Sequence, residues 1–253
     1  MSWSQRRKAT YTLSFLSLVA ITLIVVFFSF FNKKATCFDG VKNQDELGVD
    51  CGGSCTILCR AEYTNPKVLW ERWAKISSSG TYNMLAYVQN PNIGAAVMNA
   101  PYTFKIYDRN NVLLLTKSGM TYIPASTNFA VFEDGISIGD KVPARIVFQF
   151  ADNLVWQKTE SKELSITAIS KTLVNEDSQP KIFVTLKNNT LLPVRNIESI
   201  AIAYDENDNA LGFSKTKTDL IEKEGTAEIV FTWPERFEKK VLKIEIVSKV
   251  LPE

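Results

Sequence analysis

Pro101–Asn111 reads PYTFKIYDRNN, and Glu198–Asn209 reads ESIAIAYDENDN. Each alternates apolar residues, closes on Tyr-Asp and opens into a polar turn. Tyr107-Asp108 returns 97 residues later as Tyr204-Asp205. A second marker keeps nearly the same interval: Asn90 precedes Asn188 by 98 residues, and each ends a strand-like run and opens a loop, NPNIGA or NNTLLP. An interval of about 100 residues is one immunoglobulin-sized unit, so the spacing predicts an internal repeat. The strand phase aligns poorly. Tyr102, Phe104 and Ile106 alternate in the first copy, but Ile200, Ile202 and Tyr204 in the second. A one-residue bulge in one copy would reconcile them.

Outward from these markers, short alternating runs continue to both ends of residues 66–250, among them VLWERWAKI, TYNMLAYVQ, NFAVF, KIFVTLKN and TAEIVFTW. Turn signals SSSG, NPN, DRNN and EDG separate them. Asn65-Pro66 could cap a short helix through Trp73, but the β-rich surroundings favour a strand. The expected fold class is all-β, with two tandem immunoglobulin-like β-sandwiches at 63–159 and 160–253.

Upstream, Tyr11–Phe31 holds 21 residues without a charge, and about 20 suffice to cross a bilayer core as a helix. A cleaved signal peptide would end in small residues; this run ends in FFSFFNKK. The expectation is a transmembrane helix at 11–31, a cytoplasmic tail at 1–10 and extracytoplasmic domains beyond. Arg6, Arg7, Lys8, Lys33 and Lys34 flank the span, so the rest of the chain carries 24 basic against 27 acidic residues. That balance offers no basic footprint for nucleic acid. At 45% hydrophobic and 22% charged, the composition is that of globular protein rather than a disordered chain.

Residues 32–62 contain all four cysteines, Cys37, Cys51, Cys55 and Cys59, spaced C-x(13)-C-x(3)-C-x(3)-C. Four thiolates could hold zinc. Beyond a membrane anchor, however, an even, clustered set predicts disulfides and a cystine-stapled stalk. Four cysteines allow three pairings, which sequence cannot separate. An EF-hand loop starting at Asp39 fails at Val41 and Gln44. A non-EF calcium site from Asp39, Asn43, Asp45 and Asp50 is the one cofactor weighed, against side-chain turns that need no ion; otherwise no cofactor is expected.

Two resemblances follow from these residues. Cys37, Asp39, Gly40, Asn43, Glu46, Asp50, Cys51, Gly52, Gly53 and Cys55 resemble a short motif, C-x-D-G-x-x-N-x-x-E-x-x-x-D-C-G-G-x-C, of secreted and surface proteins. It implies export and no particular activity. FKIYD at Phe104–Asp108 resembles the FxLYD pattern, with Ile106 in place of Leu. The second copy keeps Tyr204 and Asp205 but has Ala201 and Ala203. That family implies an immunoglobulin-like sandwich, often behind an anchor, with no established enzymatic role. The whole arrangement resembles membrane-anchored proteins of prokaryotes.

Function is less legible. The chain has no histidine, so no Ser-His-Asp triad or imidazole ligand can form, and no enzyme is expected. Glu133-Asp134 and Asp205-Glu206 read as solvated turn acids. Asn90–Pro101 is the longest loop candidate of the first domain; Asn90, Asn92, Trp70 and Trp156 are the candidate binding residues, weighed against core packing. The expected role is an integral, single-pass binding or scaffolding protein of the cell envelope with a protein partner, and no evident small-molecule substrate. The alternative is a structural spacer or an accessory subunit of an envelope complex.

Overall fold

The computed structural model describes residues 3–31, 36–77, 80–159 and 166–252. Lys33, Lys34, part of the SSSG turn and the start of the second expected domain at 160 lie outside them. The chain divides into two bodies, Met1–Cys55 and Thr56–Glu253.

The first body contains helix α1 (Trp3–Phe31). Within Arg7–Phe28 an 18-residue window has mean hydropathy 2.4, and none of that window is buried by protein. Thr12 and Ser17 turn their hydroxyls onto backbone carbonyls of the same helix, which removes the penalty of carrying them into an apolar medium. A helix apolar on every side needs surroundings other than water.

The second body is all-β. Its first seven strands are β1 (Lys67–Ser77), β2 (Thr81–Gln89), β3 (Ala95–Tyr107), β4 (Leu113–Ile123), β5 (Asn128–Ser137), β6 (Arg145–Phe150) and β7 (Gln157–Lys158). Sheet β1-β2-β5 faces sheet β4-β3-β6, and β7 pairs with the start of β3. Met84, Phe104, Ile106, Phe129, Phe148 and Trp156 fill the space between them. Six more strands repeat the scheme: β8 (Ile166–Val174), β9 (Lys181–Asn188), β10 (Val194–Tyr204), β11 (Ala210–Ile221), β12 (Thr226–Thr232) and β13 (Lys243–Val250). Sheet β12-β9-β8 covers sheet β11-β10-β13 around Ile182, Leu186, Ile197 and Phe231.

A third apolar cluster joins the two sandwiches. Ala74, Leu85, Ala130 and Phe132 come from the outer face of β1-β2-β5. Ile200, Ile202, Tyr204, Phe213 and Val247 come from the outer face of β11-β10-β13. Four sheets therefore stack face to face. This packing corrects the expected phase shift. Phe104 and its counterpart Ala201 both face their own sandwich core. Ile200, Ile202 and Tyr204 are apolar on the opposite face because the first sandwich covers it. A bulge does occur, but at the same place in both copies, at Ile106/Tyr107 and at Ala203/Tyr204.

Two turn expectations change as well. The loop after Asn90 ends by Gly94, because Ala95–Pro101 already belongs to β3. Glu133-Asp134-Gly135 is not a turn but an irregularity inside β5, opposite Tyr82 and Met84 of β2.

Candidate functional site

In the first body, Cys37 is bonded to Cys55. Cys51 and Cys59 are also disulfide-bonded, and no described cysteine is free. The acids between them serve the backbone. Asp50 accepts the amides of Asp39 and Gly40. Asp39 accepts the Val41 amide and the Asn43 side chain at 2.9 Å. Glu46 accepts the amides of Asn43 and Asp50, and Asp45 accepts the Ser54 hydroxyl. These bonds show Asp39, Asn43, Asp45 and Asp50 holding the turns of the segment. Gly53 sits at φ +56°, where a Cβ would come within 2.1 Å of the Asp45 carbonyl, so only glycine fits. Among the described residues, one cluster has ligand-like spacing, Cys37, Glu46 and Cys55. Its two sulfurs are spent on each other, which removes the thiolates that zinc requires.

In the second body, the repeated polar markers hold the turns. Asn90 is buried; its side-chain amide donates to the carbonyls of Ala95 and Pro124, and its carbonyl accepts the Asn92 amide. Asn188 does the same for Leu192, Glu222 and Thr190. Asp108 accepts the amides of Asn110 and Val112, and Asp205 those of Asn207 and Asn209. Asn92 exchanges two 2.7 Å bonds with the Thr64 backbone. Trp156 is buried against Tyr63, with ring centroids 5.1 Å apart. Trp70 stacks on Tyr87 at 5.3 Å and faces Phe213 at 6.4 Å, so the surface it anchors is the second sandwich. Asn90 and Asn92 thus share one turn, tied through Thr64 to the Tyr63 that covers Trp156, while Trp70 lies apart at the joining face.

The acid pairs are not simply solvated. Glu133 accepts the Tyr102 hydroxyl at 2.6 Å and lies 3.6 Å from Lys117. Asp205 is buried beside Lys239 at 2.9 Å; that ammonium, followed by the turn amides, holds its carboxyl well below the usual range. Between the sandwiches, Glu245 accepts hydroxyls from Tyr87 at 2.7 Å and Tyr204 at 2.8 Å. Burial, and next the Glu245 bond, raise both phenols well above their ordinary values, so they remain donors. Lys249 reaches Glu198 at 3.0 Å and Thr121 at 2.9 Å. Burial lowers its pKa while Glu198 opposes that shift.

A groove of about 1130 Å³ lies where the sandwiches meet. Ile166, Ala168 and Lys171 of β8 form one wall, Ile244 to Ser248 of β13 the second, and Tyr87, Gln89 and Asn128 of the first sandwich the third. The sequence offered no signal for it beyond the alternation of β13, since a groove between strand edges depends on strand order. No family model matches the chain, and no curated protein matches it. Among solved structures, red sea bream transglutaminase aligns with TM-score 0.24 and 11% identity over 75% of this chain and 32% of its own, which is too slight to carry fold or function.

Proposed function

We propose that the chain is a single-pass, membrane-anchored binding or scaffolding protein of the cell envelope, with its β-domains on the extracytoplasmic side and no catalytic activity. The observation that carries this reading is the oxidised cysteine segment following a helix long and apolar enough to cross a bilayer. Disulfides persist in oxidising compartments, which supports an extracytoplasmic placement of the β-domains. Against catalysis stand the absence of histidine and the structural use of the acids: Glu133, Glu198, Asp205 and Glu245 each hold a lysine or a tyrosine. Face-to-face stacking shortens the reach of the two sandwiches, which favours binding or scaffolding over a spacer. Protease treatment of intact cells, with and without outer-layer permeabilisation, tests the topology: the β-domains should be cleaved without lysing the inner membrane. Protection until lysis overturns it. Cross-linking in native membranes tests the role: a reproducible set of envelope proteins is expected, and substrate turnover by the purified chain would refute the reading.

A further inference from the structure

β6 and β13 are equivalent by register, opposite β3 and β10; β7 continues the β6 side of β3, and the edges of β7 and β13 are covered differently. In the first sandwich, the pairing of β7 with β3 leaves the Lys158 amide and the Trp156 carbonyl pointing away from the sheet. An added strand takes both: Lys158 N–H donates to the Thr56 carbonyl at 2.8 Å, and Leu58 N–H donates to the Trp156 carbonyl at 2.9 Å. Ile57 bridges Gln157 in antiparallel fashion. Leu58 and Tyr63 then pack on the first core.

In the second sandwich, the Leu251 amide donates to the Asn196 carbonyl at 2.8 Å, in register with the ladder of β13 on β10. Opposed residues of an antiparallel pair alternate between bonded and non-bonded. Lys243, Glu245, Val247 and Lys249 therefore bond to β10, while Ile244, Ile246 and Ser248 aim their N–H and C=O groups outward. The Lys171 ammonium covers one of these, the Ile244 carbonyl, at 2.8 Å. Among the described residues no strand or bridge lies on that side of β13. The groove runs along this edge, and Ile244 and Ile246 are only partly buried beneath it.

We propose that this groove takes an extended segment of a partner protein, added to β13 as Thr56–Leu58 is added to β7. The inference rests on the binding role proposed above and names the mode. Strand addition draws affinity from main-chain bonds and specificity from alternate side chains. On one face the segment meets Ile244, Ile246 and Ala168, which calls for apolar residues. On the other it meets Gln89 and Asn128, which call for hydroxyl or carboxylate groups. Lys243 is already paired with Asp208 at 2.8 Å and Glu245 holds two tyrosines, which leaves the Lys171 ammonium as the groove charge facing the segment, so an acidic segment fits better than a basic one.

The test uses the full chain in detergent micelles and a panel of peptides alternating Val or Ile with Thr or Asp, with shuffled peptides of equal composition as controls. Alternating members should slow hydrogen exchange at the Ile246 and Ser248 amides by about tenfold or more. N-methylating one alternate set of peptide amides should abolish binding, and methylating the other set should not. K171E should weaken the Asp-bearing peptides and spare the Thr-only one. The proposal is overturned if no member protects those amides or if shuffled peptides bind equally. It is also overturned if protection without peptide grows with protein concentration, which would mean that a second copy occupies the edge. If envelope partners cross-link reproducibly while this test fails, the strand-addition mode falls and the binding role stands.

Discussion

Phe213→Ala and Phe183→Ala make the same chemical change on two outer sheet faces, and the structure assigns them different costs. Phe213 is 1% exposed within the cluster that joins the sandwiches, facing Trp70. Removing a fully buried phenyl ring costs about 3–5 kcal/mol, combining lost transfer energy with the cavity left behind. Phe183 is 47% exposed on the open face of β12-β9-β8. Roughly half of its burial is already absent, and no closed cavity forms, so truncation there should cost about 1 kcal/mol. The assay is urea unfolding followed by tryptophan fluorescence, which Trp70 reports directly at the joining face. With a slope of roughly 2 kcal/mol per molar urea, F213A should lower the midpoint by about 1.5–2.5 M and F183A by about 0.5 M. Equal shifts for the two variants, or a loss below about 1 kcal/mol for F213A, would refute the face-to-face packing.

Three further outcomes follow from the same geometry. Asn188→Ala should cost about 2–4 kcal/mol by orphaning buried carbonyls of the turn, and Asn188→Asp should not rescue it, since a carboxylate cannot donate to Leu192 and Glu222; the urea midpoints of both variants check this. Mass spectrometry of alkylated, unreduced protein should find two disulfides including Cys37–Cys55 and no free thiol, and Cys37→Ser should loosen the 18-residue span by about 3 kcal/mol of local stability, seen as faster proteolysis there; four alkylated thiols or stoichiometric zinc would contradict it. Asp205 has a folded pKa below its unfolded one, so its contribution is complete above the ordinary carboxylate range and is lost as pH falls toward the folded value; the urea midpoint of D205N should therefore fall less steeply than wild type between about pH 4 and pH 2.

Much of the fold could be read from local pattern, because alternation, turn residues and repeat spacing are local quantities. The Asn90/Asn188 and Tyr107/Tyr204 markers locate turns whose bonds the structure repeats in both copies. The run IAIAY at Ile200–Tyr204 misleads a local reading. Apolar residues at every position of a strand signal burial on both faces, but beside Tyr102, Phe104 and Ile106 the same run imitates a shift of phase. Similarly, NMLAYV at Asn83–Val88 puts Met84 in the first core and Leu85 in the joining cluster. The partner of that second face lies more than a hundred residues away, at Ile202 and Phe213, so no local pattern could name it. The groove was hidden for the same reason: the chemistry of Ile244–Ser248 is that of any strand, and only strand order makes it an edge.

The two copies also differ in the faces they leave outward. One sandwich presents its β1-β2-β5 face to the β11-β10-β13 face of the other. A contact between unlike faces of repeated units continues indefinitely unless the terminal faces resist it. Here they do. Where the second sandwich uses Ile200, Ile202, Phe213 and Val247, the first has Thr103, Lys105, Thr116 and Gln149 at the equivalent register positions. Where the first uses Trp70 and Ala130, the second has Ser170 and Glu228. Polar residues thus cover both outward faces, and Phe183 with Val230 is a small apolar remnant on one of them. With polar outward faces, the groove along the edge of β13 offers backbone groups together with the half-buried Ile244 and Ile246, which places recognition at an edge rather than on a sheet face.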